Sequence, residues 1–154
     1  MNVTKNLGFT LDSSLTLNPQ IKKLKAANCH KMRNIAKMKP FLSEAQMQII
    51  VQSLVISSLD YCNALYFGTN HSVLKQLQSL QNRACRLVKG LKRREEVEPY
   101  IKGLHWLKVQ ERIEFKVLLL TFKVLHGLAP PYLSNLVKYN SSGGRDVSLH
   151  CPIN

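Results

Sequence analysis

Five residues between positions 75 and 93 have the type and spacing to meet a polyanion. Lys75, Asn82, Arg86, Lys89 and Arg93 share one side of a helix read at about 100° per residue, if the register runs past Gly90. Val73, Leu77, Leu80, Ala84, Leu87, Val88 and Leu91 fall on the other side. No Asp or Glu occurs from Tyr61 to Arg94. A helix usually mixes signs on its wet face to limit self-repulsion. A purely cationic face suits a phosphate backbone, since each phosphate neutralised releases counterions and makes binding steeply salt-dependent. A second acid-free window, between Asp12 and Glu44, carries Lys22, Lys23, Arg33 and Lys37, with His30, opposite Ile21, Leu24, Met32 and Ile35. The competing reading of both stripes is a solvated helix face. Pairing of Arg83 or Arg86 with Glu95, Glu96 or Glu98 would also lower the free charge.

Other reactive residues offer less. Cys29, Cys62, Cys85 and Cys151 show no C-x-x-C spacing, and adjacent Cys–His pairs ligate one metal poorly, so buried free thiols in a reducing compartment are expected. That compartment would be intracellular, nuclear or cytoplasmic. Asp12, Asp60 and Asp146 stand in segments that predict no convergence, whereas two-metal phosphoryl transfer needs carboxylates gathered on cations about 4 Å apart. Asp60 reads as a local hydrogen-bonding partner. Trp106, beside His105, could stack on a base, but a lone Trp between leucines reads as core. No cofactor or metal is expected.

The 154 residues suffice for one core, and 45% of them are hydrophobic. Lys and Arg number 22 against 9 acids, a net +13, which points to nucleic acid, an anionic membrane or an acidic protein as partner. Spread over several segments, the charge favours nucleic acid over a membrane. No run approaches the roughly 20 apolar residues of a membrane span, and no leader sequence is visible.

The elements that would hold these stripes read as helices. Residues 6–17 alternate apolar and polar, with a turn at Asp12-Ser13-Ser14, as a strand or hairpin without an obvious sheet to join. Asn18-Pro19 marks a helix start with Asn18 as cap, and Pro40 its end. Ser43 to Gln46 forms a capping box, with Leu42 and Met47 as staple, opening an apolar helix that should run to Gly68. After the Val73 helix and a basic-then-acidic run, Pro99 opens a short helix. A long helix over 108–126 is stopped by Gly127, and its apolar circumference predicts a central place. Arg112, Lys116 and Lys123 make its cationic strip. A last short helix is expected over 132–137 and a disordered tail over 139–154. The expected fold class is all-α: an irregular bundle of about five helices behind a short extended N-terminal segment.

Several motifs resemble the C-terminal part of the reverse transcriptase of LINE-type (non-LTR) retrotransposons. Asn6-Leu-Gly-Phe-Thr-Leu-Asp12 is similar to the family's N-L-G-V-x-x-D, and Leu59-Asp-Tyr-Cys-Asn-Ala-Leu65 to L-D-Y-C-N-x-L. Leu77-Gln78, Leu80-Gln-Asn-Arg-Ala84 and Arg86 resemble R-L-Q-x-x-Q-N-x-A-A-R. Leu104-His-Trp-Leu107, Arg112-Ile113, Phe115-Lys116 and Leu118 to Lys123 resemble L-H-W-L-P-V-x-x-R-I-x-F-K-x-L-L-L-x-F-K, and Gly127 to Leu133 resembles G-L-A-P-x-Y-L. The motifs are collinear over residues 6–139. Lys108 departs from the family's Pro, which would extend the helix N-terminally, and the pattern is lost after Tyr139.

The resemblance implies a palm edge over 1–17 and a thumb-like helical domain over 18–138, without the family's paired catalytic aspartates. The implied activity is therefore non-catalytic, non-specific binding of RNA–DNA hybrid or duplex. The Leu7-Gly8 turn would lie near the primer strand. A protein partner could use the surface that would face the missing palm. A helical protein-interaction module, or a truncated product without selected function, are the alternatives.

Overall fold

The computed structural model describes residues 3–135. The fold is all-α behind one β-hairpin, and the chain divides into two compact units, Met1–Ile113 and Glu114–Asn154. The expected tail and the end of the last expected helix lie outside the described residues.

β1 (Val3–Asn6) and β2 (Phe9–Asp12) pair antiparallel, with Asn6 opposite Phe9 and Val3 opposite Asp12. The hairpin turn is therefore Leu7-Gly8, and the expected turn at Asp12-Ser13-Ser14 follows β2, closed by Leu15 N donating to Asp12 O. Both turn residues have positive φ, 46° and 84°, as a tight two-residue hairpin matched to strand twist requires. The partner of β2 is thus the strand before it, which lacks the alternation that marks β2. Phe9 is buried, its ring 5.8 Å from that of Tyr66, and fixes the hairpin to the helices.

Asp12 organises the entry into α1 (Asn18–Met38). Its carboxylate accepts hydrogen bonds from Thr16 N and Oγ1 and from Leu17 N at 2.8–3.0 Å. The cap of α1 is consequently Leu17, held left-handed at φ 60°, rather than Asn18; Ile21 N donates to Leu17 O. Burial raises the Asp12 carboxyl, but the three hydrogen bonds outweigh it and hold the group below its ordinary range. Gln20 accepts from Thr10 N and ties helix to hairpin a second time.

α1 buries Ile21, Leu24, Met32 and Ile35, the expected face, and ends before Pro40. α2 (Glu44–Val51) opens on the Ser43–Gln46 capping box. The helix then widens into a π-turn over Gln52–Ile56 before α3 (Ser57–Asp60). Ser53, Ser57 and Ser58 each donate a hydroxyl back to a carbonyl three or four residues earlier, which loosens the regular ladder there. The wide turn shifts the phase of the apolar face. Ile56 and Leu59 are buried with Val55, while Leu54 is 47% exposed. The helix does not run to Gly68 as its hydropathy suggests. It breaks at Cys62, which is left-handed at φ 54°, and a 3-10 turn over Asn63–Tyr66 follows.

α4 (His71–Lys89) starts with Asn70 accepting from Ser72 N and buries Val73, Leu77, Leu80, Ala84 and Val88. Leu87 and Leu91 are half-buried. α5 (Glu98–Gly103) is short. α6 (Val109–Leu125) starts one residue after Lys108, whose N–H is taken by the Glu111 carboxylate, so Lys108 does not extend it. A left-handed Gly127 follows its end. Trp106 is 5% exposed, in the core, and its indole N–H donates to Gln52 at the π-turn.

α6 passes from the first unit into the second after Ile113. Val109 and Ile113 are buried, but Phe115, Leu118 and Phe122 are 57%, 67% and 53% exposed. In the second unit α6 is followed by α7 (Pro131–Ser134), with Leu128 and Tyr132 also exposed.

Candidate nucleic-acid interface

The basic residues are arranged by how α1 and α4 pack. Lys25 Nζ donates to Gln76 Oε1 at 3.1 Å, and Arg83 Nη1 lies 3.1 Å from Cys29 Sγ. Further along, the Lys39 ammonium lies over Gly90, at the C-terminal end of α4, where carbonyl dipoles favour a cation. These three contacts advance together along both chains, so α1 and α4 lie side by side and run in the same direction.

Helical spacing puts Lys22, Lys25, Cys29, Arg33 and Lys37 on the α4-facing shoulder of α1. Arg83 stands across from them on α4. Lys22, Arg33, Lys37 and Arg83 are exposed, and Lys25 is half-buried. The three ion pairs among the described residues involve none of these cations. From Lys22 to Lys37 the row runs about 22 Å at 1.5 Å per residue, the rise of roughly six base pairs. Neither helix contains an acid.

The other expected residues are placed differently. Lys23 is exposed but turns to the hairpin, its ammonium 3.4 Å from Gly8 O. Lys75 is exposed on the far flank of α4. Asn82 accepts from Gln78 at 2.8 Å. Arg86 donates to Glu95 O at 3.3 Å, so the acidic run engages it through a backbone carbonyl rather than a carboxylate. Lys89 pairs with Glu44 at 2.5 Å. Arg93 leaves the stripe altogether. Gly90 at φ 70° ends α4, with Leu91 N returning to Arg86 O, so the helical register stops three residues short of it.

The far flank of α4 is occupied by a polar clamp. Gln81 is fully buried; its Nε2 donates to Leu107 O at 2.7 Å, and its Oε1 accepts from Gln78. Gln78 Oε1 accepts from Val109 N at 3.0 Å. Two glutamines thereby cap the start of α6. Arg112 completes the joint: its Nη1 is 3.0 and 2.9 Å from the two Asp60 oxygens, and its Nε donates to Leu107 O. Arg112 is therefore a structural cation rather than part of a free strip. Asp60 is a hydrogen-bonding partner as read, but its partner is Arg112, 52 residues away, rather than a local group.

Lys25, Gln76 and Arg83 are the interface residues that the stripe analysis missed. Their signal was present in the acid-free composition of both helices, but which flank of α4 stays open depends on where α1 packs. Cys85 is a buried free thiol pushed up by its burial, and Cys29 and Cys62 are half-buried free thiols; Cys151 lies outside the described residues. Among the described residues no three His, Cys, Asp or Glu side chains group as metal ligands, and no helix is long and apolar enough to cross a membrane. Compared with known protein families, curated proteins and solved structures, the chain matches none.

Proposed function

We propose that this protein binds the backbone of duplex nucleic acid, RNA–DNA hybrid included, without catalysing a reaction, as a thumb-like piece of a LINE-type reverse transcriptase. One observation carries the binding: two adjacent acid-free helices present Lys22, Lys25, Arg33, Lys37 and Arg83 on a shared shoulder. Lysines and arginines on helix shoulders reach phosphates rather than base edges, so sequence preference is weak. The collinear motifs support the kinship. Fluorescence anisotropy with a labelled RNA–DNA hybrid tests the reading. Affinity falls steeply with salt, with a log–log slope of about −3 to −4 for four phosphate contacts, and scrambling the sequence changes it little. Binding that ignores salt would overturn it.

A second reading, a protein-interaction module, is favoured by one feature. Leu15, Leu65 and Phe67 are exposed around a groove of about 610 Å³ between the connection from β2 to α1 and the start of α4. By the resemblance, a palm would pack near this hairpin. On that reading Leu15→Asp with Phe67→Asp abolishes capture of a reverse-transcriptase palm added in trans and leaves hybrid binding unchanged.

A further inference from the structure

The flank of α4 turned away from α1 borders a groove of about 410 Å³, within the size range of small-molecule sites. One wall carries Lys75, Asn82 and Arg86; Glu96 and Glu98 stand on the other; Val97, Ile101 and Val109 are among its apolar lining.

The α4 wall holds unused donors. Arg86 Nε is enclosed and makes no hydrogen bond, while a single longer bond to Glu95 O engages its Nη2. A guanidinium has five donor hydrogens; Nε is closed off from the groove, so the Nη hydrogens that Glu95 O does not take are the ones left for a ligand. Lys75 makes no hydrogen bond or ion pair among the described residues. Asn82 has its oxygen occupied by Gln78, which leaves its amide hydrogens to donate. Across the groove, Glu98 is neutralised by Lys108 at 2.7 Å. Glu96 is exposed, enters none of the ion pairs among the described residues, and is an acceptor.

We infer that this groove binds a phosphate monoester carried on a planar organic group, in the manner of a nucleoside monophosphate. The phosphate meets Lys75, Asn82 and Arg86, and an amino-bearing edge of the organic group meets Glu96. Arg86 meets the phosphate through its outer guanidinium nitrogens in a charge-assisted contact while holding Glu95 O, a pair of bonds that a lysine cannot reproduce in this geometry. The same chemistry is offered by a free nucleotide and by the phosphorylated end of a nucleic-acid strand. The site shares no residue with the α1–α4 shoulder, so either can fail without the other.

The test is calorimetric titration of the whole chain with adenosine 5′-monophosphate, adenosine and inorganic phosphate, with the Arg86 Nε–Hε resonance followed by NMR. The monophosphate should bind, move the Arg86 signal and outcompete inorganic phosphate, while adenosine should not bind. Lys75→Gln and Arg86→Lys should each weaken it about tenfold or more, as loss of a charge-assisted bond does. Lys75 is exposed, so its variant reports on the site even if Arg86→Lys perturbs folding. Arg33→Gln should leave monophosphate binding unchanged. A 5′-phosphorylated oligonucleotide that binds more tightly than its unphosphorylated twin, and loses that advantage in Lys75→Gln, identifies the strand end as the source. A phosphorylated oligonucleotide that binds no tighter than its twin, while adenosine 5′-monophosphate binds, identifies the free nucleotide. A silent Arg86 resonance, adenosine binding as tightly as its monophosphate, or unaltered affinity in Lys75→Gln would overturn the inference.

Discussion

The two flanks of α4 carry the same kinds of residues and meet different fates. Toward α1, Arg83 stands beside Lys22, Lys25, Arg33 and Lys37, and the three ion pairs among the described residues involve none of them. Elsewhere on α4, Lys89 is paired with Glu44 of α2, Arg86 gives one bond to Glu95 O, and Asn82 belongs to the glutamine network, while Lys75 enters none of these ion pairs. Charge counted on a helical wheel is therefore not charge available to a ligand. Availability depends on which neighbours a flank acquires on folding: α1 brings further cations to one flank, whereas Glu44 of α2, the Glu95 carbonyl and the glutamine network engage part of the charge elsewhere on α4.

Charge reversal on the open flank breaks this contrast most severely. Lys25→Glu, Arg33→Glu and Arg83→Glu together should lower hybrid affinity by about a hundredfold or more at low salt, since three phosphate contacts become repulsions. Circular dichroism should show the fold retained, because none of the three side chains is in the core.

The clamp is the next point to break. Gln81→Leu keeps the volume but leaves Leu107 O with Arg112 Nε as its remaining donor and the Gln78 amide with Asn82 as its remaining acceptor, and should cost about 1 kcal/mol of stability in urea denaturation. Its effect on hybrid affinity at a temperature where the protein stays folded should be small. Equal loss in binding would mean that the two flanks are not independent.

Acid should sharpen the contribution of the hairpin. Because the folded Asp12 carboxyl lies below its ordinary range, its contribution to stability is complete above the unfolded value, about 3.9, and is lost as pH falls through the folded value. Thermal melts from neutral to acidic pH should show the melting temperature falling in that window. Asp12→Asn should lower it at neutral pH and flatten the acid limb. The smallest change is expected at Lys89. Lys89→Gln removes a partly exposed pair with Glu44, should cost under about 1 kcal/mol, and should leave hybrid affinity within about twofold.

Much of the fold was legible in the chain. The buried faces of α1 and α4 follow the helical period, and the Ser43–Gln46 box sets the start of α2 as its spacing requires. Other features depend on contacts that periodicity does not encode. The π-turn at Gln52–Ile56 accompanies three serines bonding to carbonyls, and it moves Leu54 out of the face where a regular helix would put it. Gln78 and Gln81 read as wet polar residues until α6 arrives to use them. Asp12 starts the turn its sequence suggests, and its carboxylate is also the anchor of α1. The cationic site was half legible for the same reason: Lys22, Arg33 and Lys37 follow from spacing on α1 alone, whereas Arg83 joins them only through the packing of two helices. Arg93 was lost to a glycine that ends the helix before the register reaches it.

The most direct test of the open flank is the salt slope of hybrid binding, compared between two neutralised proteins. One carries Arg33→Gln and Arg83→Gln; the other carries Lys89→Gln and Arg93→Gln. The first should bind with a log–log slope shallower than the native protein by about 2, and the second with the native slope. Equal slopes in the two variants, or a change confined to the Lys89 and Arg93 pair, would contradict the assignment of nucleic acid to the α1–α4 shoulder.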